Sequence, residues 1–262
     1  MLWAKRSVTE SPSPSIFKMH THDCYEIFVF YAGDACYHVE GTVYPLQAGD
    51  ILIMKRAEAH TLWINRVAPY DRTVINFSTD MIPEPQRAML QDFLEQRPLG
   101  RFNRYPASLF SNTRWLAYVE KIYTHRDDPA YMQTYLTVLL TELWEAFPEV
   151  QAIQQQPSGQ ISDIITYINS NFCSNTLSIH TLCDRFFISN TQLNRLFHQM
   201  TGVPVWKYVV TKRMLHAKAL LDQGQPPTEV CYQCGYHDYS PFFRAYKAHF
   251  GVSPAGHKLK AK

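Results

Sequence analysis

Short apolar runs separated by turn residues fill the stretch between Tyr25 and Phe77. The runs YEIFVFY, ACYHVEG, GDILIM and TVINF are rich in aromatic and β-branched residues, and segments such as AGD and NRVAPYD separate them. Many short strands at close spacing are typical of a small antiparallel barrel or sandwich. We therefore predict a compact β-domain at the front of the chain.

The apolar spacing changes to a helical period from about residue 83 to residue 147. In DPAYMQTYLTVLLTELWEAF the apolar residues step by three and four positions, which places them on one side of a helix. That stripe consists of Met132, Leu136, Leu139, Leu140, Leu143 and Phe147. A helix over 128–147 could pack on the barrel of its own chain or form a dimerisation seam, and the sequence leaves both interpretations open.

A polar stretch without periodicity, PEVQAIQQQPSGQ (148–160), predicts a linker, and a repeated motif follows it. LNRLFHQMTGV (193–203) lies 49 residues before FFRAYKAHFGV (242–252), and a shorter apolar-periodic segment precedes each copy. A short helix, a tight turn and a second helix, present twice, predict two helix-turn-helix units.

The second helix of each unit has one apolar face and one polar face. At about 100° per residue, Arg195 and His198 lie opposite the stripe that starts at Leu193, and Arg244 and Lys247 lie opposite that of Phe242. Arginine can donate two parallel hydrogen bonds to guanine in the major groove. The polar faces therefore suit base recognition, although a solvated helix face would look similar.

Charge supports the nucleic-acid interpretation for the back of the chain only. From residue 161 onward there are 11 basic and 5 acidic residues, which leaves 14 basic and 18 acidic residues before it. A basic C-terminal third favours a polyanionic partner. The six cysteines show no disulfide-scaffold spacing, and no apolar run approaches the roughly 20 residues that a membrane span needs. We expect a cytoplasmic protein without a membrane partner.

Residues 161–258 resemble the DNA-binding domain of AraC/XylS-type transcription regulators. The resemblance runs through ISNTQLNRLFHQMTGVPVWKYVVTKRMLHAKALL and VCYQCGYHDYSPFFRAYKAHFGVSP. It implies that two helices read adjacent segments of double-stranded DNA. With the helical faces, it implies a DNA-binding set of Thr191, Asn194, Arg195, His198, Tyr239, Ser240, Phe243, Arg244 and Lys247. Lys212 and Arg213 are expected to add phosphate contacts beside Lys247.

The stretch HTHDCYE (20–26) carries candidate ligand chemistry in the front domain. Residues two apart on a strand share a face, so His20, His22 and Glu26 are expected to project together. Their spacing resembles the first cupin motif, and His60 stands at the histidine of the second. The four residues could bind a divalent metal ion, or they could hydrogen-bond a small organic effector without a metal.

Together these observations predict an α+β protein with two domains. We expect a flexible arm (1–15), a cupin-like ligand-sensing and dimerisation domain with flanking helices (16–147), a linker (148–160), and an all-α DNA-binding domain (161–262). The predicted function is a transcription activator controlled by a small molecule such as a sugar, not an enzyme. It would act as a homodimer with RNA polymerase and would require no cofactor. A cupin metalloenzyme with a nucleic-acid-binding tail and a constitutive DNA binder are the alternatives.

Overall fold

The computed structural model describes residues 1–12, 19–109, 114–153, 160–201 and 203–256. The chain divides into two compact units, Met1–Pro157 and Ser158–Lys262. The first unit combines antiparallel sheets with helices and the second is helical, which confirms the predicted α+β class. Within the described ranges, no helix is long and apolar enough to cross a membrane.

Two antiparallel sheets form the first unit. One has the strand order β1-β7-β2-β5-β8, and the other has the order β4-β3-β6. The strands are β1 (Leu2–Thr9), β2 (Tyr25–Ala32), β3 (Ala35–Val39), β4 (Thr42–Pro45), β5 (Ile51–Met54), β6 (His60–Ile64), β7 (Tyr70–Phe77) and β8 (Arg104–Tyr105).

Side chains on β2 alternate between two cores. Tyr25 and Ile27 join an apolar cluster shared with the helices. Phe28 and Phe30 join a second cluster between the two sheets. Because the strand is covered on both sides, it reads as a continuous apolar run in which Glu26 is a buried exception.

The described ranges of the first unit also contain the α-helices α1 (Glu84–Gln96), α2 (Arg114–Thr124), α3 (Pro129–Glu145) and α4 (Phe147–Ile153). Asp128 caps α3, because its side chain accepts the backbone N–H groups of Ala130 and Tyr131. The five apolar residues of the stripe from Met132 to Leu143 are all buried, and they share a cluster with the sheet. The stripe therefore packs within its own unit, and the alternative that it forms a dimerisation seam is wrong.

Both predicted flexible segments contain regular structure. Residues 2–9 were expected in a flexible arm, but they form β1 and pair along their whole length with β7. Residues 148–153 were expected at the start of the linker, but they belong to α4, which inserts Val150 into the core. In both cases long-range packing supplies order that local composition does not indicate. The rest of the arm at 13–15 and the linker residues 154–159 lie outside the described ranges.

Six helices form the second unit: α5 (Gln160–Asn171), α6 (Ile179–Phe186), α7 (Asn190–Thr201), α8 (Val205–Asp222), α9 (Pro227–Gln233) and α10 (Tyr239–Phe250). The pairs α6–α7 and α9–α10 are the two helix-turn-helix units, and α8 connects them. Ser189 accepts the Gln192 N–H at the start of α7, and Gly251 ends α10 with a left-handed φ of 74°.

Candidate ligand cavity and nucleic-acid interface

A cavity of about 690 Å³ lies in the first unit, between the inner face of the larger sheet and the histidine-rich segment. Strand β1 contributes one of its faces to the wall, and β7 contributes every second residue. The lining residues are Met1, Trp3, Lys5, Ser7, His20, His22, Asp23, Cys24, Glu26, Phe28, Tyr37, Leu62, Tyr70, Arg72, Val74, Asn76 and Ser78. The volume falls in the range typical of small-molecule sites.

Three of the predicted ligand residues, His20, His22 and His60, converge at this cavity. Their ring centroids are 4.9 Å (His20–His22), 4.5 Å (His20–His60) and 5.2 Å (His22–His60) apart. One nitrogen from each ring lies within 4.8 Å of the others. The sequence predicted a common strand face for His20, His22 and Glu26 and added His60 from the cupin resemblance, and the structure brings the three histidines together.

The fourth predicted residue, Glu26, contacts the histidines through its carboxylate, but it is not part of the group whose ligand atoms converge. Its Oε2 is 2.9 Å from His22 Nε2, and its Oε1 accepts the Tyr37 hydroxyl at 3.2 Å and lies 3.9 Å from His60 Nε2. Burial opposes ionisation of Glu26, but the hydrogen bond from His22 and the adjacent His60 hold its pKa below the ordinary value. Glu26 is therefore a buried carboxylate at the cavity wall.

His60 has a defined tautomer. Its Nδ1 is 2.8 Å from the Glu58 carbonyl oxygen, which can only accept, so Nδ1 carries the proton. Burial lowers the pKa of the ring to about 4, so the imidazole is neutral near pH 7. Its Nε2 consequently presents a lone pair, and this buried atom has no hydrogen-bond partner in the described part of the chain.

One continuous strand does not explain this convergence. Strand β2 begins at Tyr25, and His20 forms only an isolated bridge with His60. His20 and His60 exchange both backbone hydrogen bonds, each 3.0 Å long, and the Ala57 N–H donates to the His22 carbonyl at 2.9 Å. Ala57 stands where the cupin motif has glycine, and it adopts the left-handed φ of 59° that glycine favours. Loop pairing therefore positions the histidines.

A further buried carboxylate, Glu58, was not predicted from the sequence. This residue is fully buried and pairs with Arg97 at 3.2 Å. It also accepts hydrogen bonds from the backbone of Lys55 and Gly100 and from the Asn103 amide. A Cβ at Gly100 would lie 2.6 Å from the Val39 carbonyl oxygen, so only glycine brings this N–H to Glu58.

In the second unit, most of the predicted DNA-binding residues are accessible. Arg195 and His198 on α7 are exposed, as are Arg244 and Lys247 on α10. Thr191 and Ser240 are exposed as well, and Tyr239 and Phe243 are partly buried. Leu193, Phe197, Phe242 and Tyr246 are fully buried on the opposite faces. Each helix thus presents the polar face that the sequence indicated.

Asn194 is placed differently from its neighbours. It is partly buried, its Nδ2 donates to Asn190, and its Oδ1 accepts the Val205 N–H at 3.4 Å. Both ends of the amide are therefore engaged within the domain. This arrangement helps to connect α7 to the start of α8, and it leaves Asn194 less available to a base than Arg195.

The expectation that Lys212 and Arg213 contact phosphates is wrong. Their exposed fractions are only 6% and 4%, because α8 is packed on several sides. Arg213 donates to the carbonyl oxygens of Phe172 and Ser174 at 2.6 and 2.9 Å, and its guanidinium lies over the rings of Trp206 and Tyr236. Some of the excess positively charged residues of this unit are therefore buried inside it.

Known protein families match both units. The AraC-like ligand binding domain matches residues 11–113, and a helix-turn-helix domain matches residues 182–258. The chain belongs to the AraC/XylS-type transcription regulators. It is a ligand-responsive, sequence-specific DNA-binding regulator, with the cavity in the matched ligand-binding region and α7 and α10 in the matched DNA-binding region.

Two curated relatives of this AraC/XylS-type regulator are described as the HTH-type transcriptional activator RhaS. The protein from Escherichia fergusonii is 23% identical over 91% of this chain and 86% of its own length. The protein from Yersinia pestis is 24% identical over 92% of this chain and 88% of its own length. Among solved structures, the match to ToxT from Vibrio cholerae covers 98% of this chain and 98% of the ToxT chain, with 13% sequence identity and a TM-score of 0.43.

Proposed function

We propose that this regulator activates transcription with RNA polymerase when a small hydroxylated molecule, such as a sugar, binds in the first-unit cavity. The observation that carries the proposal is the cavity itself, which combines aromatic faces with polar groups in the ligand-binding region of the family. Because the relatives are described as activators, they support activation of transcription rather than repression. We place the protein in the cytoplasm, where its DNA partner is found, and assign it no catalytic role.

The cavity wall suits a molecule with both apolar and hydroxylated faces. Phe28, Tyr37 and Tyr70 offer ring surfaces, while Glu26 and Asn76 offer polar atoms on adjacent strands. Aromatic rings pack against the C–H faces of a sugar, and convergent polar groups fix its orientation. The buried Glu26 carboxylate is suited to accept hydrogen bonds from effector hydroxyl groups.

Base selection is assigned to the exposed faces of α7 and α10. Arg195 and Arg244 would donate paired hydrogen bonds to guanines, and Lys247 would contact a phosphate. Thr191, His198 and Ser240 complete the accessible surface, with Tyr239 and Phe243 at its edge. Asn194 is given a connecting role instead of a base contact, because its amide is already engaged.

Control by the effector requires two arrangements of the protein with different affinities for DNA. We propose a homodimer, since two copies on paired sites would let a small change in their relation alter the total binding free energy. The effector would bind one arrangement more tightly and so shift the population toward it. The stripe of α3 is excluded as the dimer contact because it is buried within one unit.

The test uses the full-length chain and DNA selected by it from a random pool. A thermal-shift screen of sugars, other metabolites and divalent metals identifies compounds that stabilise the protein, and DNA affinity is then measured with each. The proposal requires at least one organic compound that both raises the melting temperature and changes the DNA affinity. Ligands that stabilise the protein without changing DNA affinity would contradict it.

A further inference from the structure

The cluster of His20, His22 and His60 has two properties of a metal centre: convergent nitrogens and fixed backbone positions. The nitrogens lie within 4.8 Å of one another. The reciprocal hydrogen bonds between the backbones of His20 and His60, and the bond from Ala57 to His22, fix the three chain positions. Preorganised positions of this kind lower the cost of assembling a site.

The hydrogen-bond contacts of His60 and His22 provide further support. Metal-binding histidines usually donate their second ring N–H to a carbonyl or carboxylate, which leaves the other nitrogen for the metal ion. His60 donates Nδ1–H to the Glu58 carbonyl, and its buried Nε2 has no hydrogen-bond partner among the described residues. His22 Nε2 lies 2.9 Å from Oε2 of the Glu26 carboxylate, which can orient the ring.

We propose that His20, His22 and His60 bind one divalent transition-metal ion, and that this ion contacts an oxygen atom of the effector. Imidazole nitrogens suit zinc, copper, iron and nickel. Three protein ligands leave a coordination position open, as in catalytic zinc sites, and His20 and His22 line the cavity. The contact between the ion and the effector rests on the proposed effector function, whereas the binding of the ion by the three histidines does not.

Ion binding requires a modest closure of the cluster. Tetrahedral zinc with bonds of about 2.0–2.1 Å holds its nitrogens about 3.3 Å apart, so the rings must approach by up to about 1.5 Å. His20 is exposed and His22 partly exposed, so rotation of their side chains can supply this movement around the buried His60. Glu26 would then orient His22 from the outer shell, which revises its predicted role as a direct ligand.

The test of ion binding uses the full-length protein after treatment with a chelator. Titration with Co²⁺ is followed by visible absorption, and Zn²⁺ is measured by competition and by metal content. We expect one ion per chain with an intense tetrahedral or five-coordinate Co²⁺ spectrum. His20→Ala and His22→Ala should each weaken binding by more than the 10–100-fold typical of losing an outer-shell partner.

A matched control separates this site from adventitious binding to surface histidines. His180 is highly exposed in the second unit and forms an i,i+4 pair with Asp184, so His180→Ala should leave the affinity for Co²⁺ unchanged. His60→Asn serves as a third variant, and His20 and His22 keep the test decisive if that buried substitution impairs folding. Wild-type affinity in both His20→Ala and His22→Ala would overturn the metal site.

The open coordination position is tested with azide, a small anion that binds cobalt. Azide should change the Co²⁺ spectrum of the wild-type protein, and an unchanged spectrum would overturn the proposed contact with the effector.

Effectors identified in the screen are then tested on metal-free and reloaded protein. If an effector changes DNA affinity equally in both forms, the regulator stands and the metal contact fails. If ions bind but no compound changes DNA affinity, the effector function fails instead.

Discussion

Two buried carboxylates in the first unit, Glu26 and Glu58, have opposite surroundings. Glu58 is surrounded by donors from its own chain, including Arg97, Asn103 and the backbone of Gly100. Glu26 lies at a cavity and contacts His22 and the Tyr37 hydroxyl. Both are almost inaccessible to solvent, with exposed fractions of 4% and 0% for Glu26 and Glu58. Burial alone therefore does not distinguish a structural charge from a binding group.

The surroundings of Glu58 and Glu26 differ in whether the folded chain itself supplies hydrogen-bond partners for the buried polar groups. Burying a charge is tolerated when its partners satisfy it, and Glu58 meets that condition within the protein. Near Glu26, the Nε2 of His60 is left without a hydrogen bond among the described residues. An incomplete buried network beside a cavity indicates a place for a ligand.

Two arginines in the second unit repeat this contrast. Arg213 is buried with two carbonyl acceptors and two aromatic rings, so its charge is used inside the domain. Arg195 is exposed on the polar face of α7. Arg213 should therefore matter for stability and Arg195 for DNA recognition, and substitutions can separate the two roles.

The largest effect is expected for Glu58→Ala. Removing one partner of a buried ion pair leaves Arg97 uncompensated and should cost about 3–5 kcal/mol of the free energy of unfolding. Denaturant unfolding of the full-length chain measures this loss. A cost below about 1 kcal/mol would show that the network is not structural.

The same residue predicts a pH dependence. Burial opposes ionisation of Glu58, but Arg97 and the donors of Gly100 and Lys55 hold its pKa below the ordinary value. A carboxylate with a lowered folded-state pKa contributes stability above its unfolded pKa of about 4.5, and that contribution is lost as the pH falls through the folded value. The stability difference between wild type and Glu58→Ala should therefore shrink below about pH 4.5, and a constant difference would contradict the ion pair.

A smaller loss of stability is expected for Arg213→Ala. The substitution leaves the carbonyl oxygens of Phe172 and Ser174 without their donor and removes packing on Trp206, at a cost of about 2–4 kcal/mol. DNA affinity should fall equally on selected and random sequences, since the fold is affected rather than base recognition. A loss confined to the selected site would mean that Arg213 reaches DNA.

Arg195→Ala should show the reverse behaviour. We expect a loss of about 1–3 kcal/mol in binding free energy at the selected site, little change on random DNA, and an unchanged melting temperature. Exposed Lys247 is the matched comparison, because Lys247→Ala should weaken binding to all sequences and reduce the salt dependence. Equal losses on both DNAs for Arg195→Ala would show that it does not read bases.

Only a small effect on stability is expected for Glu26→Gln. The amide has the same shape, and its single oxygen can accept the bond from His22 while its NH2 group donates to the Tyr37 hydroxyl oxygen, so the free energy of unfolding should change by less than about 1 kcal/mol. Thermal unfolding without effector measures this change. A loss comparable to that of Glu58→Ala would place Glu26 among the structural charges.

The sequence was informative where periodicity or spacing carried the signal. The polar faces of α7 and α10 could be predicted because the helical period is a local property, whereas the grouping of His20, His22 and His60 was expected from the resemblance to the cupin motifs. The strand at residues 2–9 could not be predicted, since its order comes from pairing with β7, 61 to 75 positions away. Neither the Glu58 network nor the burial of Arg213 has a local signature, because partners as far as 45 and 41 residues away, respectively, contribute to them.

The most direct test of the central claim is the equilibrium Kd of the full-length regulator for its selected DNA site, with and without the effector from the screen. Coupling between cavity and DNA should change the Kd of the wild type by about 5–150-fold. In Glu26→Gln this change should be strongly reduced, while the Kd without effector stays at the wild-type value. An effector response of equal size in wild type and Glu26→Gln would contradict the assignment of the cavity as the control site.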